Sequence, residues 1–286
     1  MRVRLADTAG FCFGVKRAVD MVYQEAETSN NVYTFGPIIH NESVVNDLES
    51  KGVNVINDVL EIKDNDVGTI IIRAHGVPKK TLDAMESCKV KVVDATCPFV
   101  RKIYNIVTSQ GNEGRDIIII GSDTHPEVEG IKGWCNTKVY VVESEEEANN
   151  LELADDKPLC IVSQTTFNHI KFKNIVDIIT SKAKDVMVVN TICNATKERQ
   201  EEAYKLAEES DVMLVIGGKN SSNSQKLYNI CKDKCKNTFF IQNAKDFDFS
   251  ILDNYNSVGI TAGASTPNNI IKEVFDLCQK KVLNNY

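Results

Sequence analysis

Residues 94–127 read DATCPFVRKIYNIVTSQGNEGRDIIIIGSDTHPE. Cys97 opens a helical stretch, and Pro98 follows where a missing N–H costs a helix least. The isoleucines at 117–120 then form a continuous apolar run that suits a strand buried on both faces. A polar loop with Gly121, His125 and Glu127 comes next. The same order of features recurs on either side. DTAGFCFGVKRA (7–18) leads into NVYTFGPIIHN (31–41), and NTICNATKER (190–199) leads into DVMLVIGGKNSSN (211–223). Three residues after each cysteine stands Val or Thr, then a basic residue: Cys12-Val15-Lys16, Cys97-Val100-Arg101 and Cys193-Thr196-Lys197. Gly36, Gly121 and Gly217 each lie 24 residues after their cysteine, and His40, His125 and Ser221 each lie 28 after it. Matching offsets in three places are the signature of an internal repeat.

Each repeat continues with a strand-like run ending in a small polar loop: GTIIIRAHGVP (68–78), PLCIVSQTTFN (158–168) and SVGITAGASTP (257–267). In the first two, a further apolar run leads into the next cysteine, VKVVDATC (90–97) and DVMVVNTIC (185–193). The third has no such run, and the N-terminal VRLADTAGFC (3–12) has the pattern to supply it, closing the arrangement into a ring. Strands alternating with helices indicate parallel α/β sheets. The expected fold is α/β: three lobes related by a pseudo-threefold axis, each a small, mostly parallel sheet flanked by helices, around a central cluster cavity. The expected boundaries are 14–96 for the first lobe, 97–193 for the second, and 194–286 plus 1–13 for the third, the N-terminal strand completing it. Ligands of such sheets bind outside the strand C-termini, where the cysteines and polar loops fall.

The composition narrows the function. The chain of 286 residues is 42% hydrophobic and 26% charged, ordinary for a globular protein. A net charge of −7 argues against a nucleic-acid partner or an anionic membrane surface, so an anionic ligand has to be held locally by amides, hydroxyls and imidazoles. The N-terminus lacks the apolar core and cleavage site of a secretion signal, and no apolar run approaches the ~18 residues of a membrane span, so a cytoplasmic location is expected. Nine cysteines, an odd number with no C-x2-C pair, argue against a disulfide framework.

The chemistry-bearing residues gather on the repeated turns. Cys12, Cys97 and Cys193 occupy equivalent positions. Three thiolates suit a cuboidal iron–sulfur cluster with one iron left open, and equally a zinc site with one open position. Three of the four histidines, His40, His75 and His125, lie on loops, where imidazole can hold phosphate or relay protons. Glu127 and Glu129 both fit an acid or base role and both fit a helix-start role favoured by the dipole; their spacing does not choose between them. Ser221, Ser222, Asn223, Thr165 and Ser265 precede or open helical stretches, and several helix N-termini aimed at one point make an anion site without lysine. GGKNSS (217–222) departs from a phosphate loop after its lysine, and no G-x-G-x-x-G follows any strand. Three functions remain open on this reading: an iron–sulfur reductase, a zinc-dependent phosphoester hydrolase with Glu127 as base, and a non-catalytic phosphometabolite-binding module.

The motifs GFCFGVKRA, FGPIIHN, RAHG, DATCP, THPEV, SQTT, NTIC, SSNS and AGAST, running from residue 10 to residue 266, closely resemble the 4-hydroxy-3-methylbut-2-enyl diphosphate reductase family of the non-mevalonate isoprenoid pathway. The resemblance implies that Cys12, Cys97 and Cys193 hold one [4Fe–4S] cluster, with three cysteine ligands and one iron open to the substrate. It implies that His40, His75, His125, Ser221, Asn223 and Ser265 hold the diphosphate, with Ser222 beside them. Glu127 would deliver protons and Thr165 would orient the substrate alcohol. The implied reaction consumes two electrons and two protons, releases water, and yields isopentenyl and dimethylallyl diphosphates. The implied electron donor is a ferredoxin or flavodoxin.

Overall fold

The structure, a computed structural model, describes residues 1–64, 67–154 and 156–284. Strand β1 (Arg2–Leu5) precedes Cys12 and helix α1 (Phe13–Thr28). The first repeat then supplies β2 (Val32–Phe35), α2 (Glu42–Ser50), β3 (Asn54–Ile56), α3 (Glu61–Asp64), β4 (Thr69–Ile72), α4 (Lys79–Glu86) and β5 (Lys91–Asp94). The second begins with α5 (Pro98–Asn112) and continues through β6 (Asp116–Ile120), α6 (Pro126–Lys132), β7 (Val139–Val142), α7 (Glu145–Asn150), β8 (Leu159–Ser163), α8 (His169–Lys182) and β9 (Val186–Val188). The third runs through α9 (Asn194–Glu208), β10 (Val212–Ile216), α10 (Ser222–Lys234), β11 (Thr238–Ile241), β12 (Ser257–Ala262) and α11 (Asn268–Asn284).

These strands form three four-stranded sheets, ordered β3-β2-β4-β5, β7-β6-β8-β9 and β11-β10-β12-β1. Every pairing is parallel. The order is the same in each sheet once β1 is taken as the fourth strand of the third, where Arg2 lies opposite Ser257 and Leu5 opposite Ile260. Parallel strands need helical crossovers that cover both faces, which is why the central strands are apolar throughout. The isoleucines at 117–120 are all fully buried, and each such side chain stabilises the fold by roughly 1.5–3 kcal/mol relative to exposure.

The described residues group into two compact units. One comprises Met1–Lys16, His40–Asn46 and Asn194–Tyr286 and holds the third sheet. The other comprises Arg17–Ile39 and Asp47–Cys193 and holds the first two sheets. Among the described residues no helix is long and apolar enough to cross a membrane.

The repeat extends to individual hydrogen bonds. Gly36, Gly121 and Gly217 each directly follow the first strand of their repeat, and each donates its N–H to the last residue of the second strand: Ile56 at 2.7 Å, Val142 at 3.0 Å and Ile241 at 2.9 Å. Gly217 leaves no room for a side chain, because a Cβ there would meet Ser224 Oγ at 2.2 Å. The matching glycine spacing thus marks one backbone turn used three times.

Candidate active site

Each repeated cysteine immediately precedes a helix, Cys12 before α1, Cys97 before α5 and Cys193 before α9. Each N–H donates to the second residue beyond the third strand of a sheet: Cys12 to Ala264 at 3.2 Å, Cys97 to Ala74 at 3.0 Å and Cys193 to Thr165 at 3.0 Å. All three side chains are part-exposed. A part-exposed thiol is within reach of a metal. Of the other six, Cys160, Cys231, Cys235 and Cys278 are buried in the apolar cores, while Cys88 and Cys135 are part-exposed and pack against a core, as Cys97 does. Burial pushes the Cys135, Cys231 and Cys278 thiols up to about 12 and the Cys160 thiol to about 11, so at neutral pH they stay protonated. No disulfide joins any of the nine.

The unit holding the first two sheets carries His75, His125, Glu127 and Thr165. His125 is the N-cap of α6, its Nδ1 accepting the Glu127 N–H at 3.1 Å. The rings of His75 and His125 meet edge to face, 5.4 Å between centroids. Helix phase separates the two glutamates: Glu127 is 2% exposed, whereas Glu129 faces solvent. The Glu127 carboxylate is held at both oxygens by Thr165, whose N–H reaches Oε1 at 2.6 Å and whose hydroxyl reaches Oε2 at 2.7 Å. The Thr165 carbonyl in turn accepts from Cys193. Neighbouring Gln164 is fully buried, accepts from the Ser122 N–H at 3.3 Å and donates to Thr166 Oγ1 at 3.0 Å, which ties the loop after β8 to the loop after β6.

The unit holding the third sheet carries His40, Ser221, Ser222, Asn223 and Ser265. Ser221 is the N-cap of α10 and is buried. Its Oγ accepts from the Ser224 N–H at 3.3 Å and from Ser224 Oγ at 2.9 Å, which uses both lone pairs, and Ser265 Oγ lies 3.4 Å away. A hydroxyl whose oxygen already accepts from its neighbours has its own hydrogen left to donate. Asn223 is 5% exposed, and among the described residues neither its Nδ2 nor its Oδ1 has a hydrogen-bond partner. An orphaned buried amide costs about 1–3 kcal/mol and calls for a partner such as a ligand or an ordered water. His40 lies against this loop, since a Cβ on Gly218 would meet the His40 carbonyl at 2.3 Å. Asn41, one residue on, caps α2 through its Oδ1 and the Val44 N–H at 3.3 Å. Ser222, in the first turn of α10, is part-exposed.

Sequence reasoning did not single out Ser224, Tyr104 or Trp134. Ser224 was legible only as the fourth residue of SSNS, and the two aromatics carried no motif at all.

Three parallel sheets of one strand order, with cysteines and hydroxyl-rich caps at their strand ends, define a class, and residues 3–279 match the model of the LytB protein family. The chain belongs to that family, one of iron–sulfur reductases of the non-mevalonate isoprenoid pathway. It is 48% identical over 278 residues to the 4-hydroxy-3-methylbut-2-enyl diphosphate reductase of Caldanaerobacter subterraneus subsp. tengcongensis, covering 96% of both chains. The solved E-1-hydroxy-2-methyl-but-2-enyl-4-diphosphate reductase of Plasmodium falciparum is similar at TM-score 0.91 with 30% identity, over 96% of this chain and 87% of that one. A second solved structure, of (E)-4-hydroxy-3-methyl-but-2-enyl diphosphate reductase, the terminal enzyme of the non-mevalonate pathway, is 42% identical at TM-score 0.70, over 98% of this chain and 100% of that one.

Proposed function

We propose that this chain reductively removes the hydroxyl of 4-hydroxy-3-methylbut-2-enyl diphosphate, giving isopentenyl and dimethylallyl diphosphates with two electrons and two protons. The observation that carries the residue assignments is the chain of bonds Cys193–Thr165–Glu127. One threonine holds both oxygens of a buried carboxylate and receives the N–H of a repeat cysteine.

Cys12, Cys97 and Cys193 would hold one [4Fe–4S] cluster, as its three cysteine ligands, leaving one iron open. The donor set fits. These cysteines are part-exposed and share one backbone position in three repeats, while burial raises the thiols of Cys135, Cys160, Cys231 and Cys278. When bound, such a cluster supplies electrons and Lewis-acid help for hydroxide, a poor leaving group. The chain's own groups do the rest. His40, His75, His125, Ser221, Ser222, Asn223 and Ser265 bind the diphosphate, the hydroxyl of Ser221 and the amide of Asn223 each offering an unspent donor. That remote binding positions the reacting carbon. Thr165 Oγ orients the substrate alcohol; once Glu127 takes up a proton, its Oε2 donates to Thr165 Oγ in reverse of the resting bond, and the Thr165 hydroxyl hands its own proton to the departing oxygen. Electrons come from a ferredoxin or flavodoxin.

The test is anaerobic purification followed by iron and labile sulfide analysis, a visible spectrum, and product analysis with reduced carrier. Brown protein with iron and sulfide that forms both isoprenoid diphosphates is the expected result. Colourless protein holding zinc would refute the reading.

A further inference from the structure

The His75 loop is gripped by two aromatic side chains. Tyr104, two helical turns beyond Cys97 on α5, is 4% exposed, and its hydroxyl donates to the His75 carbonyl at 3.2 Å. Its ring stacks on Trp134, 5.0 Å between centroids and 12° between planes, and Trp134 Nε1 donates to the Val77 carbonyl at 3.0 Å. The same phenol oxygen fills the space that a side chain would need at two glycines. A Cβ on Gly76, at φ +74°, would lie 2.1 Å from it, and a Cβ on Gly130 would lie 2.5 Å from it. Gly133 meets Pro78 in the same way, at 2.4 Å. Helix α6, which carries His125 and Glu127, therefore lies flush against the His75 loop with the Tyr104 hydroxyl wedged between them. Burial first, and the Glu127 charge second, push the phenol pKa up, so the hydroxyl remains a donor.

From this geometry we propose that Tyr104 is the positioning residue for His75: by holding that residue's carbonyl it sets the imidazole opposite His125 and ties it to the helix that begins at Cys97. The bond to the carbonyl occupies the phenol hydrogen, so Tyr104 acts through His75 rather than on the substrate. The proposal rests on the reading of His75 as a diphosphate ligand.

Tyr104→Phe keeps the ring and its stack and deletes only the donor. In the cluster-loaded enzyme it should raise KM, and the inhibition constant of inorganic diphosphate, by roughly three- to tenfold, the size of one lost neutral hydrogen bond. Saturated turnover and the visible spectrum should stay at the parent level. Adding Tyr104→Phe to His75→Ala should change nothing further, because a group acting through His75 has nothing left to position. Gly130→Ala is the second variant, needed if Tyr104→Phe fails to fold. Its methyl would meet the Tyr104 hydroxyl and should raise KM with saturated turnover unchanged; an unchanged KM overturns the proposal. The proposal is overturned if His75→Ala weakens diphosphate binding while Tyr104→Phe does not. It is overturned equally if the two effects simply add, or if turnover falls at unchanged KM, which would put the phenol in the proton path. If His75→Ala itself leaves KM and diphosphate inhibition unchanged, the diphosphate assignment fails and takes this proposal with it.

Discussion

The loops that follow β6 and β10 share a backbone and differ in chemistry. Both open on a glycine bonded to the end of the neighbouring strand, and both end on an N-cap, His125 in one and Ser221 in the other. Two residues beyond each cap stands a buried polar side chain, Glu127 in one and Asn223 in the other. The loop across from each decides what it can be. After β8 that loop offers Thr165, whose N–H and hydroxyl hold both carboxylate oxygens of Glu127. After β12 the equivalent position, which takes the N–H of the repeat cysteine, is Ala264 and has no hydroxyl to give. An unsupported carboxylate beside a diphosphate would add repulsion to desolvation, whereas a neutral amide keeps a donor for the anion. One repeated frame thus buries a held carboxylate in one copy and a neutral amide in another, the two groups proposed above as proton carrier and diphosphate ligand.

Exchanging those chemistries should break the contrast, most severely at the carboxyl. Glu127→Gln keeps shape and hydrogen-bonding capacity but carries no transferable proton, so turnover should fall by ~10²–10⁴ with substrate affinity and cluster spectrum little changed. Parent-rate turnover with weakened binding would make Glu127 a positioning group instead. The reverse exchange, Asn223→Asp, should act on affinity: losing a charge-assisted bond and gaining a like charge should raise the substrate dissociation constant by about 10²-fold, read by titration calorimetry of anaerobic protein. An unchanged constant would remove Asn223 from the cradle. Ser221→Ala should weaken binding by roughly tenfold or more through one lost charge-assisted bond, with turnover at saturation preserved. Glu129→Gln should be nearly silent in both assays, since this carboxyl faces solvent. A large loss there would mean that the helix phase has been read from the wrong face.

The cysteines sharpen the same lesson about position. In protein stripped of its cluster, iodoacetamide at pH 8 should label Cys12, Cys97 and Cys193. It should spare Cys231 and Cys278, whose thiols burial holds near 12. Mass spectrometry of the peptides reads the outcome, and labelling of all nine at equal rates would contradict it.

Much of the fold was legible because its signals are local. Runs such as the isoleucines at 117–120 report strands, and the offsets of 24 and 28 residues report a turn built three times. The missing run at the end of the third repeat, set against VRLADTAGFC at the start of the chain, pointed to the β1–β12 pairing that completes the third sheet. By itself the sequence determined the strand and helix alternation, the parallel sheets, and which three of nine cysteines are equivalent. Spacing left Glu127 and Glu129 alike and Asn223 as one more helix-start residue, set apart only by the family resemblance, and it left Tyr104 without notice. Only the tertiary structure supplied the physical distinction, because each depends on partners from another element: Thr165 lies 38 positions from Glu127, and Tyr104 lies 29 from His75. Periodicity reports the face a residue presents, but burial, pairing and a carboxyl's supporting donors are set by whichever chain segment packs against that face.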